Sequence, residues 1–172
     1  PSASSAASDV YKRQEYHAIG PFRFPIYKDL VPGEAKGIED ISRDSSKATY
    51  ASLKLAQKIA KDQNISVKDA VEMMSKGQMD ENSDILYKYA DELQDLTEAQ
   101  ISQTQQFADF ATLAMRYRGE VMLPGKKQWI KTTDWTAEDT NQIPTKMLAE
   151  IYQFMLWERD GWPDTTAVES GN

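Results

Sequence analysis

The chain of 172 residues has no cysteine and a single histidine, His17. The first absence excludes disulfides, thiolate zinc sites and cysteine nucleophiles. The second excludes a multi-histidine metal centre and a conventional Ser-His-Asp triad. No apolar run approaches the roughly 20 residues of a membrane span, and no stretch joins a basic start to an apolar signal core. Gly33, Gly37, Gly119 and Gly125 lack the spacing of either standard phosphate-binding loop, and no Gly-Lys-Ser/Thr occurs. Positive charge is also scarce: 20 Lys and Arg against 27 Asp and Glu give a net charge of −7 and a pI near 4.8. Duplex binding rests largely on neutralising phosphates, so nucleic acid is disfavoured as a partner. What is present, 40% apolar and 27% charged residues, is ordinary for a globular protein with a real core.

Residues 1–14, PSASSAASDVYKRQ, are Ser/Ala-rich and aperiodic; they resemble translated adapter or cloning sequence and are expected to be a disordered, non-native tail. Residues 15–163 read as a single mostly helical domain, and 164–172 as a frayed C-terminus. From Glu15 to Leu30, Tyr16, Ile19, Phe22, Phe24 and Ile26 follow a period of two around Gly20-Pro21, which predicts a hairpin. Pro25 cannot donate to a ladder, so its strand is expected at a sheet edge. His17, with no companion ligand, reads as a surface or half-buried strand histidine.

Val31-Pro32-Gly33-Glu34 opens a helix that runs to about Asp62, with Glu34 favourable to the macrodipole. Ile38, Ile41, Ser45, Ala48, Ser52, Leu55 and Ile59 form a heptad seam with a small-residue middle; either the helix is continuous or it breaks between Arg43 and Lys47. Ser66 caps a short helix from Val67 to about Ser75, with Val67, Ala70, Val71 and Met74 on one face and Lys76-Gly77 at its end. A helix from about Ser83 to Leu96 carries Ile85, Leu86, Tyr89 and Leu93. Thr97 is expected to cap the central helix, Glu98 to Arg118, whose apolar residues spread over roughly 200°. Gly119 stops it, and Val121 to Lys131 forms a second hairpin around Pro124-Gly125. The fold class is mainly α: a helical bundle with a short N-terminal β-hairpin and a second small hairpin near 120–131.

Thr133 to Trp162 holds three of the four Trp. Thr136 and Asp139 can cap a short turn, Pro144 suits the start of a longer helix, and Gly161 suits its end. Met147, Leu148, Ile151, Tyr152, Phe154, Met155 and Leu156 fill an arc of roughly 200°, so this helix needs cover on two sides. Glu98 to Arg118 supplies one side; Ile38 to Ile59 or a second protein supplies the other. Trp157 lies outside the arc and either meets another element or is exposed for a partner.

Candidate chemistry is sparse. Asp80, Asn82, Asp84 and Asp91 match positions of a calcium loop, but Ile85 stands where the sharp turn needs Gly and Asp91 where a bidentate Glu is usual, so they read as an acidic loop. Asp134, Glu138 and Asp139 can be imagined as a general acid–base pair or the ligands of a divalent ion, but beside Thr at a helix start they read as caps. Lys126-Lys127 beside Trp129 is too small a cluster for single-strand binding. Seven Met can fill core gaps or line an adaptable groove. The residues predict no catalytic group, metal or cofactor. The candidate partner-binding residues are Trp135, Met147, Ile151, Phe154, Met155 and Trp157.

The opening strand with Leu30-Val31-Pro32-Gly33-Glu34, the Asp134-Trp135-Thr136…Asp139-Thr140…Ile143-Pro144 stretch, and Glu150-Ile151-Tyr152-Gln153-Phe154 with Trp157-Glu158 together resemble the tail assembly chaperones of long-tailed bacteriophages. The likeness covers residues 15–163 loosely. It implies a non-catalytic, acidic, mostly helical protein of the infected bacterial cytoplasm. Such a protein binds the helical tape-measure protein, keeps it soluble and helps recruit tail-tube subunits. A homo-oligomer is compatible with it. The alternatives are a divalent-metal-dependent enzyme using Asp134, Glu138 or Asp139, and a structural subunit of a virion.

Overall fold

A computed structural model describes residues 13–75 and 83–164. Their order is β1 (Tyr16–Ile19), β2 (Phe22–Pro25), α1 (Pro32–Gln63), α2 (Val67–Ser75), α3 (Ser83–Lys88), α4 (Ala90–Ala99), α5 (Gln103–Tyr117), β3 (Glu120–Val121), β4 (Ile130–Lys131), α6 (Ala137–Thr140) and α7 (Thr145–Asp160). The fold is mainly α, with the two expected hairpins. Among the described residues no helix is long and apolar enough to cross a membrane. Residues 1–12 of the expected tail and the calcium-loop positions Asp80 and Asn82 lie outside the described residues, as does the Lys76-Gly77 stop, whereas Gln14 is described and its amide donates to Ile26 O at 3.0 Å.

Two compact units divide the stretch that reads as one domain in the sequence. The first takes the chain up to Glu39 and from Gln103 onward, the second Asp40–Ser102. In the first unit the two hairpins join into one antiparallel sheet, ordered β1-β2-β3-β4. Pro25 is therefore not on an edge strand. Ile26 N–H donates to Glu15 O at 2.9 Å, so the neighbouring Pro25 nitrogen faces away from β1. There β3 pairs only with Phe22 and Arg23 and has already ended, so the missing N–H costs no ladder bond.

The inner face of the hairpin, Ile19, Phe22 and Phe24, packs into a core with Phe110, Ala111, Ala114 and Met115 of α5 and Leu148, Ile151, Phe154 and Met155 of α7. The wide apolar arc of α7 thus has α5 on one side and the hairpin on the other, in the place where Ile38 to Ile59 or a second protein was expected. Gly33 and Gly37 let the start of α1 approach α5 closely. A Cβ on Gly33 would lie 2.2 Å from the Tyr117 ring, and one on Gly37 2.4 Å from Leu113 Cδ2.

In the second unit α1 is unbroken through Arg43 to Lys47, and its heptad seam faces inward: Ala48, Leu55 and Ile59 are buried and Ser45 and Ser52 half-buried. Asn64 ends it in the left-handed region (φ 54°), and Ile65 N–H donates back to Ala60 O, a Schellman-type stop. Leu55, Ala56, Ile59 and Ala60 pack with Ala70, Ile85, Tyr89 and Leu96. Ser66 caps α2 as expected, accepting the Asp69 N–H at 3.0 Å. Met73 and Met74 face the core, whereas Val67 and Val71, expected on that face, are exposed.

Two helix bounds differ from expectation. The predicted Ser83–Leu96 helix kinks at Tyr89 (φ −113°, ψ 20°), where the ring turns into the core while the flanking backbone bonds to Ile85 and Leu93 persist. Thr97 is no cap: its hydroxyl donates to Leu93 O inside α4, which runs on to Ala99, and the central helix starts at Gln103. A threonine inside a helix can satisfy itself on the preceding turn, which removes its need to cap the next one.

Candidate protein-binding site

The site most closely built in the first unit is one whose residues the sequence left unconnected. Arg118, just past the end of α5, is buried with Glu34 of α1 and Glu158 of α7. Its Nε and Nη2 donate to Glu34, Nη1 to Glu158 and to Pro25 O (3.1 Å), and Nη2 also to Asp29 O (2.9 Å). All five guanidinium donors are used. The carboxylates are also engaged: Glu158 accepts the N–H groups of Tyr27 (2.7 Å) and Lys28 (2.8 Å) and the Trp162 indole (2.9 Å), and Glu34 accepts Val31 N–H (2.9 Å). Tyr27 covers the guanidinium face, 4.6 Å from its ring centre. The cluster fixes residues 25–34 between hairpin and α1. With no donor spare, it has nothing to offer a ligand. Sequence reading found Glu34 as a dipole partner and Arg118 as a helix end, but no spacing rule joins residues so far apart in the chain.

The candidate partner-binding residues separate into two groups. Ile151, Phe154 and Met155 are fully buried in the first unit's own core, so they are closed to a partner while the fold is intact. Trp157 meets another element: it is half-buried, with its ring centre 6.0 Å from His17 and 5.0 Å from Trp162. His17 itself stacks on Phe154 at 5.4 Å, and burial lowers its pKa, against the opposing pull of Glu150 and Glu158. Trp135 and Met147 are brought together. With Pro21, Phe22, Ile143 and Pro144 they line an open pocket of about 380 Å³.

The carboxylates beside that pocket are a helix cap and two exposed side chains. Asp139 accepts the Thr136 N–H at 2.8 Å and its hydroxyl at 3.1 Å, completing the predicted capping box, while Asp134 and Glu138 are exposed. Among the described residues no group of three or more His, Asp or Glu side chains is placed to hold a metal ion. Among the described residues the methionines do not make one groove: Met115 and Met155 are core residues of the first unit, and Met73 and Met74 pack inside the second.

The second unit carries the larger open surface. Its α1 exposes Tyr50 (70%) and Leu53 (44%); Leu53 shares one pocket with Val71 and Ile101. On another face, α1 and α4 leave a groove of about 550 Å³ with a floor of Ala51, Leu55, Leu96 and Ala99. Lys58 bridges the helices by its 2.6 Å contact with Glu92. Deeper in this unit, burial pushes the Tyr89 hydroxyl up to about 12, reinforced by its hydrogen bond to Asp62, and that same bond holds the Asp62 carboxyl below its ordinary range. No family model, curated protein or solved structure matches the chain.

Proposed function

We propose that the chain is a non-catalytic tail assembly chaperone that binds the helical tape-measure protein and aids tail-tube assembly in the cytoplasm of an infected bacterium. The observation that supports this most is the apolar exposure on the second unit, where the long helix α1 leaves Tyr50, Ala51 and Leu53 exposed beside open grooves. Helical partners are commonly held by grooves of this kind, between packed helices and lined by aliphatic side chains. The acidic shell keeps such a surface soluble before its partner arrives.

The test is co-expression with fragments of a helical tape-measure protein. The fragment stays soluble and co-purifies with the chain if the reading holds. A fragment that remains insoluble overturns it. Mass spectrometry of purified particles decides against a chaperone if the chain stays in the finished virion, which is the behaviour of a structural subunit.

A further inference from the structure

We infer that the groove between α1 and α4 is the seat of the partner, and that it takes an amphipathic helix with acids along one edge and bases along the other; this rests on the proposed binding function. The groove has a direction. Lys58 of α1 meets Glu92 of α4 at 2.6 Å, and one turn further along α1 Asp62 meets Lys88, the last residue of α3 and just before α4, at 3.4 Å, so the chain from Lys88 into α4 runs antiparallel to α1 and the Lys58–Glu92 bridge spans one end of the groove. From there it opens past Leu55 and Leu96 to Ala51 and Ala99. Between Lys47 and Lys58 it extends for about 16 Å, three turns of a bound helix. Small residues at its open end let a helix backbone come close, and Leu55 and Leu96 supply the apolar bed.

The rims differ in charge. The α1 rim carries Lys47 and Lys54, and the α4 rim carries Asp95. In a chain of net charge −7 a lysine-bearing rim runs against the average. Lys47 makes only a loose 3.8 Å contact with Asp44, and Lys54 has no salt bridge among the described residues. A helix whose apolar stripe rests on the floor satisfies these groups only when acids overhang the lysines and a base overhangs Asp95. The charge pattern therefore selects both the edge composition of the partner and the direction in which it lies.

Three synthetic helical peptides of about 18 residues, roughly five turns, test this against the full chain by fluorescence anisotropy. They share an Ala/Leu stripe and differ in their edges: one acidic and one basic, both acidic, or both basic. The mixed-edge peptide is expected to bind about tenfold more tightly than either uniform one, the scale of two or three exposed ion pairs. In the Lys47→Glu/Lys54→Glu variant, checked for retained helix by circular dichroism, the order changes and the wholly basic-edged peptide binds best. Equal affinities for the three peptides, or none binding, overturn the inference. So does a dimer of the chain that Ala51→Trp abolishes, which would put a second copy in the groove. Ala51→Trp also separates this inference from the proposed function. If the variant still keeps a tape-measure fragment soluble, the groove is not the seat although the chaperone reading stands. If the unmodified chain fails to do so, the chaperone reading itself has failed.

Discussion

Replacing Arg118 with methionine removes the guanidinium while keeping much of its volume. Glu34 and Glu158 are then left as buried carboxylates without their shared cation, and the carbonyls of Pro25 and Asp29 each lose a donor. Breaking a buried ion pair by removing one partner costs about 3–5 kcal/mol. Against the roughly 5–15 kcal/mol stability of a typical domain, that is a large share. The carboxylates retain the N–H groups of Tyr27, Lys28 and Val31 and the Trp162 indole, which offset part of the loss and keep the cost from rising further. Arg118→Lys should fall between the variant and the parent, because an ammonium offers three donors where this site uses five. Urea unfolding followed by tryptophan fluorescence is the assay, since Trp162 hydrogen-bonds to Glu158. With a urea dependence of about 1–3 kcal/mol per molar, a loss of about 4 kcal/mol lowers the midpoint by roughly 2 M. A methionine variant that unfolds within about 1 kcal/mol of the parent would refute the reasoning, and would mean that the cluster gains from its partners no more than its desolvation costs.

Three further outcomes follow from local geometry. Gly37→Ala should destabilise by about 1–3 kcal/mol despite alanine's better helix propensity, because Cδ1, Cδ2 and Cγ of Leu113 all stand in the way; Gly33→Ala should cost less, since the Tyr117 ring it meets is half-exposed and can swing out. Thermal unfolding of the two variants side by side gives the order. His17 has a lowered pKa in the fold, so its neutral form contributes stability that is fully present above the ordinary value near 6.5 and is lost as pH falls through that value and the folded one. The urea midpoint should therefore drop between about pH 7.5 and pH 5 by more in the parent than in His17→Phe. Tyr89→Phe should let Asp62 titrate back near its ordinary value, read by carboxyl NMR. In the parent, the raised Tyr89 pKa makes its contribution fully present below the ordinary tyrosine value near 10 and lost toward about 12.

Local rules carried much of the fold. The Thr136–Asp139 box, the Ser66 cap, the Gly161 stop and the two hairpins are each decided within a few residues, and each is where spacing placed it. The α1 seam was legible for the same reason, although its serines left continuity open until Ser45 and Ser52 proved half-buried against the second unit. What spacing could not supply was the identity of the neighbour. The arc on α7 correctly demanded two covers, but an arc does not say whether a helix or a strand lies against it, and the hairpin took the place assigned to Ile38–Ile59 or a second protein. The same limit applies to three of the candidate partner-binding residues. Ile151, Phe154 and Met155 are apolar because they are core, whereas Leu53 and Ile101, less prominent in the periodicity, are the ones left exposed. Arg118, Glu34 and Glu158 were unreadable as a set because charge pairing across tertiary distance leaves no periodic trace.

Pro25 acts as a full stop for the sheet. Past the Arg23–Glu120 pair its ring nitrogen has no hydrogen to give, and its carbonyl oxygen already belongs to Arg118. A third rung between β2 and β3 would therefore find neither a donor nor a free acceptor. The strands part there, and the space where a ladder would have continued is instead a small polar recess ringed by Tyr16, Tyr27 and Tyr117. Lengthening this sheet by mutation would require relocating the arginine as well as replacing the proline, so the ladder length and the ion-pair cluster cannot be changed independently.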